Sequence, residues 1–197
     1  MQVIKDKITL GEFDFLWKNK HQYVHTELVY KQYIFDSSLA KDELHCWVGP
    51  NKRDFLHLKL KKLKEQQFPL LYQEPTEKLL KQIFDLKAND FQQNLCFKAQ
   101  LFLHYQEVKK KFKGINSDAI VGNWYYFEEF KAQAFAEFQF AFIQKQDWPI
   151  IPQNWSWIQW ESFEESIPKI KSSIQQKRSV KLWMKTPEQL FQLFVIG

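Results

Sequence analysis

Two runs of β-forming residues, ITLGEFDFLW at 8–17 and YVHTELVYKQYIF at 23–35, flank the polar pentapeptide KNKHQ. Both are rich in Thr, Phe, Tyr, Val and Ile and read as an antiparallel hairpin. The acids inside these runs constrain them most. Glu12, Asp14 and Glu27 occupy strand positions where Asp is depleted and a buried carboxylate is costly. Side chains alternate along a strand, so Glu12, Asp14 and Leu16 are expected on one face and Phe13, Phe15 and Trp17 on the other. On the second strand His25, Glu27, Val29 and Lys31 oppose Val24, Thr26, Leu28 and Tyr30. A hairpin that closes with Asp14 beside Glu27 brings their β-carbons to about 4.5–5.5 Å. Such carboxylates repel one another unless a cation lies between them, and their oxygens suit Mg2+ or Mn2+. The same alternation also fits a half-exposed sheet on which the acids and Lys31 form ordinary surface pairs.

After a polar connection at 36–43 and the turn WVGPN at 47–51, KRDFLHLKLKKLKEQQ reads as a helix with Asn51 as its cap. On a helical wheel Phe55, Leu56, Leu58, Leu60 and Leu63 form an apolar stripe, with Lys59 near its centre and Gln66 on the same side. A lysine aimed at a core either seeks an anion, which the hairpin could supply, or snorkels to the sheet edge. A second helix is expected over 75–90, capped by Thr76, followed by a strand over 94–108. The aromatic stretch 124–148 mixes helical and strand features, and its second half favours strand. An irregular Trp- and Pro-rich connection at 148–160 leads into a short strand. A helix over 167–177, a strand over 179–184 and a terminal helix beginning at Pro187 complete the reading.

With 197 residues, the chain is long enough for one substantial core, and a single domain over 1–197 is expected. Its 19 Phe and 8 Trp predict a ring-rich interior. Cys46 and Cys96 read as buried free thiols in a reducing compartment, and no apolar run reaches bilayer length, so a cytoplasmic protein without membrane contact is expected. The net charge of +5 is gathered in segments. Lys52, Arg53, Lys61, Lys62 and Lys64 around the first helix, and Lys109, Lys110, Lys111 and Lys113 later on, are candidate phosphate contacts to DNA or RNA, or a solvated surface. Trp148, Trp155, Trp157 and Trp160 are candidates for stacking bases or for packing.

The stretch GEFDFL followed by an acid-bearing strand resembles the PD-(D/E)XK nuclease superfamily. More closely, it is similar to a bacterial family of uncharacterised proteins grouped with that superfamily. The matching positions are Gly11, Glu12 and Asp14; His25, Glu27 and Lys31; Trp47, Gly49, Pro50 and Asn51; and Asp54, Lys59 and Gln67. The match is best over 10–70 and thins through the aromatic part at 94–197. The resemblance implies an α/β fold with a central mixed sheet flanked by helices, a restriction-endonuclease-like core lacking its first helix. It also implies a metal-dependent nuclease in which Asp14 and Glu27, with Glu12 auxiliary, hold Mg2+ or Mn2+ and Lys31 or Lys59 positions water. Lys31 lies four residues beyond Glu27, roughly 13 Å of strand rise and twice the family's usual offset. The alternative is a degenerate relative that binds nucleic acid or a protein partner without hydrolysis.

Overall fold

Alternating burial marks the strands of the computed structural model, which describes residues 1–107, 111–150 and 156–197. In chain order the elements are β1 (Gln2–Lys5), β2 (Ile8–Glu12), β3 (Phe15–Lys18), β4 (Tyr23–Phe35), β5 (Trp47–Val48), α1 (Leu56–Lys62), α2 (Glu74–Phe84), β6 (Phe91–His104), β7 (Ile120–Tyr126), α3 (Phe127–Lys131), β8 (Gln139–Phe142), β9 (Glu161–Ser162), α4 (Phe163–Gln175), β10 (Val180–Lys185) and β11 (Leu190–Ile196). The fold is α/β. Contacts divide it into two compact units, residues 1–31 with 56–99 and residues 32–55 with 100–197. Strands β4 and β6 contribute residues to both.

In the first unit, β1 and β2 form a two-stranded antiparallel sheet. Asp6 and Lys7 join them with φ of 49° and 66°, the left-handed pair that a tight hairpin's twist requires. Strand β3 pairs antiparallel with β4, Phe15 opposite Thr26 and Trp17 opposite Val24, and β6 lies on the other side of β4. The expected first strand is therefore two strands in different sheets. The break at Phe13 and Asp14 resets the alternation, so Phe13 is buried whereas Phe15 is half-exposed. Phe13 packs with Val3, Leu70, Leu71, Leu80, Ala88 and Phe91 in the unit's core.

Both helices of this unit depart from expectation. The first begins at Leu56 rather than at Asn51, whose side-chain oxygen instead accepts the Ser179 amide. After α1 the chain widens into a π turn over Leu63–Gln67, closed by Phe68 N–H donating to the Leu63 carbonyl. The wider turn carries one more residue than an α turn, so Gln67 rather than Gln66 faces inward. Leu58, assigned to the apolar stripe, is 52% exposed. Helix α2 starts with Pro75 in its first turn and ends at Asp85, whose left-handed φ of 56° stops it short of residue 90. Thr76 is no cap: it is buried within the helix and donates to the Leu70 carbonyl.

The second unit is built on a large mixed sheet. Strands β6, β7 and β11 run parallel, and β10, β8 and β9 continue it antiparallel. The chain end is a strand, not the helix expected from Pro187. That proline lies in the turn between β10 and β11, where Thr186 accepts the amides of Glu188 and Gln189. LFQLFVI is buried between β7 and β10, and a strand covered by neighbours reads as an unbroken apolar run. Gly122 is required there, since a Cβ would stand 2.0 Å from the Gln192 carbonyl of β11. Phe130, Phe140 and Ile170 pack on one face of the sheet with Leu182 and Val195. Helix α4 begins at Ser162, which exchanges hydrogen bonds with Glu165. No helix among the described residues is long and apolar enough to cross a membrane.

Candidate functional site

Over residues 27–30 of β4 the even and odd positions part company as the alternation predicts: Glu27 and Val29 are buried, as is His25 before them, while Leu28 and Tyr30 are exposed; Val24, at the start of the strand, is buried as well. A carboxylate 2% exposed needs donors, and the first unit supplies them from β4 itself and from the π turn. Glu27 Oε1 lies 2.8 Å from His25 Nε2, and Glu27 Oε2 accepts from Gln67 Nε2 at 3.0 Å. Gln67 also donates to the Glu12 carbonyl, at 3.3 Å. From β6, Gln93 Nε2 donates to the Phe68 carbonyl at 2.9 Å and lies 3.0 Å from His25 Nδ1.

This chain of contacts fixes the proton positions. The Phe68 carbonyl requires the NH2 end of the Gln93 amide, so His25 Nδ1 is the acceptor of that amide's other hydrogen. The imidazole proton is therefore on Nε2, where it donates to Glu27. The ring is wedged edge-on against Phe13, centroids 4.8 Å apart, with Phe68 at 5.9 Å. His25 is fully buried, and its contacts with Glu27 and Gln93 tie β4, β6 and the π turn into one register.

The carboxylates of Asp14 and Glu12 make other contacts. Asp14 is exposed, and its Oδ2 accepts the Leu28 amide at 2.9 Å. Glu12, on β2, is exposed, with its carboxylate 3.5 Å from Gln2 Nε2. The face-sharing expected of Glu12 and Asp14 is lost with the strand break between them. Lys31, on β4, and Lys59, on α1, are half-exposed; the group that this helical segment sends to Glu27 is Gln67. Among the described residues no group of three His, Cys, Asp or Glu side chains is placed to hold a metal.

Of the candidate phosphate contacts, Lys61, Lys62 and Lys64 are exposed, with Lys61 3.9 Å from Glu65. Arg53 is exposed in the turn before α1. Lys52 is committed elsewhere: its Nζ lies 3.3 Å from Asp36 Oδ2 and 5.4 Å from the centre of the Tyr126 ring. Burial pushes the Asp36 carboxyl up, but the Ser38 hydroxyl and amide and the Lys52 ammonium outweigh it and hold it below its usual value. Asp36 and Ser38 line a cavity of about 170 Å³ with His104, Glu107 and Trp124 in the second unit, and His104 Nε2 lies 2.9 Å from Glu129. Lys109, Lys110 and Trp155 lie outside the described residues. Cys46 is buried and Cys96 half-buried, both as free thiols.

Sequence reasoning named His25, Glu27 and Gln67 but not their mutual contact, and it missed Gln93. The available signal was a polar His-x-Glu pair on the inward face of a strand, which demands buried partners.

A family model described as Domain of unknown function (DUF1853) matches residues 1–189. No curated protein and no solved structure gives a match.

Proposed function

We infer that this chain, which belongs to the DUF1853 family, is a nucleic-acid-binding protein. The distribution of charge supports the reading. The first unit holds 13 Lys against 9 Asp and Glu, most of the net charge of +5, and Lys61, Lys62 and Lys64 are exposed together along one helical segment. Cations arranged in this way neutralise phosphates and release counterions on binding. The buried His25–Glu27 network holds the sheet in place rather than performing chemistry. The test is fluorescence anisotropy of a labelled oligonucleotide over a salt series, with wild type and a Lys61→Gln/Lys62→Gln/Lys64→Gln variant. Binding that weakens with salt is expected, with a slope shallower in the variant by about 0.7–0.9 per lost phosphate contact. Equal slopes, or no binding by the wild type, would overturn it.

A second reading is favoured by the hairpin register. Phe15 pairs with Thr26, so the next positions outward are Asp14 and Glu27, the carboxylate pair that the resemblance to PD-(D/E)XK nucleases singles out. In that reading Asp14 and Glu27, with Glu12, hold Mg2+ or Mn2+ in a restriction-endonuclease-like core, and Lys31 or Lys59 positions water. The donor set does not fit as it stands. Glu27 is occupied by His25 and Gln67, Asp14 is turned onto an amide, and Glu12 lies in another sheet. Calorimetric titration of Mn2+ into wild type, Asp14→Ala and Glu27→Ala, followed by a cleavage assay, decides it. Metal binding abolished by both substitutions, together with metal-dependent cleavage, would replace the non-hydrolytic reading.

A further inference from the structure

The face of the first unit's sheet opposite the buried network is unusually apolar for a solvent-facing surface. On β3, Phe15 is 50% and Trp17 45% exposed; on β4, Leu28 is 45% and Tyr30 41% exposed. Their common face follows from alternation, since His25, Glu27 and Val29 occupy the inward side of β4. On β6, Gln93 turns inward to His25, which puts Gln92, Asn94, Cys96 and Lys98 on the outward side. Trp17 Nε1 donates to Thr26 Oγ1 at 2.9 Å, so the indole is tied across the two strands.

Charge distinguishes this face from a surface made to meet another apolar protein. No outward strand position of β3, β4 or β6 in this unit carries a carboxylate. Exposed Lys98 lies on the β6 side of this face, whereas Lys18, paired with Tyr23 at the far end of β3, is turned to the opposite face, 4.8 Å from the centre of the Tyr23 ring. Flat rings on a sheet whose outward strand positions carry a cation and no carboxylate match a single strand of nucleic acid, whose bases stack and whose phosphates need neutralising. A duplex keeps its bases stacked on one another and offers the rings nothing.

We propose that the outward face of β3, β4 and β6 binds single-stranded nucleic acid, with Phe15, Trp17 and Tyr30 stacking bases and Lys98 meeting the backbone. It rests on the nucleic-acid reading above and narrows that reading to unpaired strands.

The experiment uses the full chain, with anisotropy of a fluorescein-labelled oligo-dT of about 20 nucleotides against a duplex of equal length. Phe15→Ala, Trp17→Ala and Lys98→Gln are compared with Trp157→Ala, which removes a 59% exposed indole in the second unit. Single strands bind at least about ten-fold tighter than duplex, and loss of either β3 ring weakens them by about 5- to 100-fold. The ring variants keep the wild-type salt slope, Lys98→Gln lowers it by about 0.7, and Trp157→Ala leaves both quantities alone. Equal affinity for duplex, or ring variants that bind like wild type, overturns the proposal while leaving nucleic-acid binding intact. No binding to either form overturns both. Circular dichroism confirms that each variant is folded, and sedimentation is run on the same samples. A dimer that Trp17→Ala dissociates would assign the face to a second copy of the chain and sink the proposal.

Discussion

Glu27 and Lys181 are each 2% exposed, one in each unit, yet the protein treats them differently. Glu27 receives two N–H donors, from His25 and Gln67, and the donors are themselves held by Gln93 and the Glu12 carbonyl. Among the described residues Lys181 is given acceptors but no carboxylate: Gln100 Oε1 at 2.6 Å and the Trp148 carbonyl at 2.8 Å, between the rings of Phe102 and Trp148. Two acceptors suit a neutral amine's two N–H groups better than an ammonium's three. Burial accordingly pushes the Lys181 amine from 10.5 down to about 7. The contrast is one of means. A buried carboxylate can be served wholly by neutral N–H groups, which the chain has in abundance, whereas a buried ammonium that lacks an anion is pushed towards giving up its proton.

The comparison breaks most readily at Glu27. Glu27→Ala leaves the His25 Nε2–H and the Gln67 amide buried without acceptors, at about 1–3 kcal/mol each. A loss of about 3 kcal/mol or more is expected from urea unfolding, read as a lower midpoint at constant m. Glu27→Gln keeps one acceptor and should lose about half as much. A loss under about 1 kcal/mol for the alanine variant would show that the network does not hold the unit together.

Lys181 gives a pH signature. Between about 7 and 10.5 the unfolded chain carries the proton and the folded amine does not. The unfolded state therefore binds more protons, and this residue's contribution to stability rises with pH across that window and flattens below it. Lys181→Met removes the titration, so its unfolding free energy should climb less steeply over the same range. At pH 7 it should stabilise by about 1–3 kcal/mol, as replacement of a buried charge by an apolar side chain often does. Parallel slopes for variant and wild type would mean that the amine stays charged in the fold.

Gln93→Leu sharpens the account of the first unit. It removes the donor to His25 Nδ1 and to the Phe68 carbonyl, costing about 1–2 kcal/mol. Nitrogen NMR of the imidazole should show a single Nε2–H form in the wild type and a mixture in the variant; a mixture in both would undo the proton assignment.

How much of this was legible depends on how local each cause is. The hairpin, β6 and β10 are visible because alternation is written in neighbouring residues, and the inward side of His25, Glu27 and Val29 follows from it. The C-terminal strand was not visible, because LFQLFVI carries no period and Pro187 suits a helix start as well as a turn; its neighbours β7 and β10 decide. The partners of Glu27 were out of reach for the same reason. Gln67 is 40 residues from it, Gln93 is 68 residues from His25, and a π turn that no wheel anticipates brings Gln67 round.

Asp14 carries the smallest expected effect and tests whether the acid was misjudged or merely misplaced. It stands beside Glu27 in the register, yet it is exposed and its carboxylate accepts only the Leu28 amide among the bonds above. Asp14→Asn keeps an oxygen for that amide and should cost about 0.5 kcal/mol or less. Asp14→Ala should cost about 1 kcal/mol. If the register placed the two acids in one electrostatic unit, removing Asp14 would instead relieve repulsion on Glu27 and raise stability. A double-mutant cycle of Asp14→Asn with Glu27→Gln separates these outcomes. Additivity within about 0.5 kcal/mol means that Glu27 answers to His25 and Gln67 alone, and a larger coupling means that the hairpin acids act as a pair.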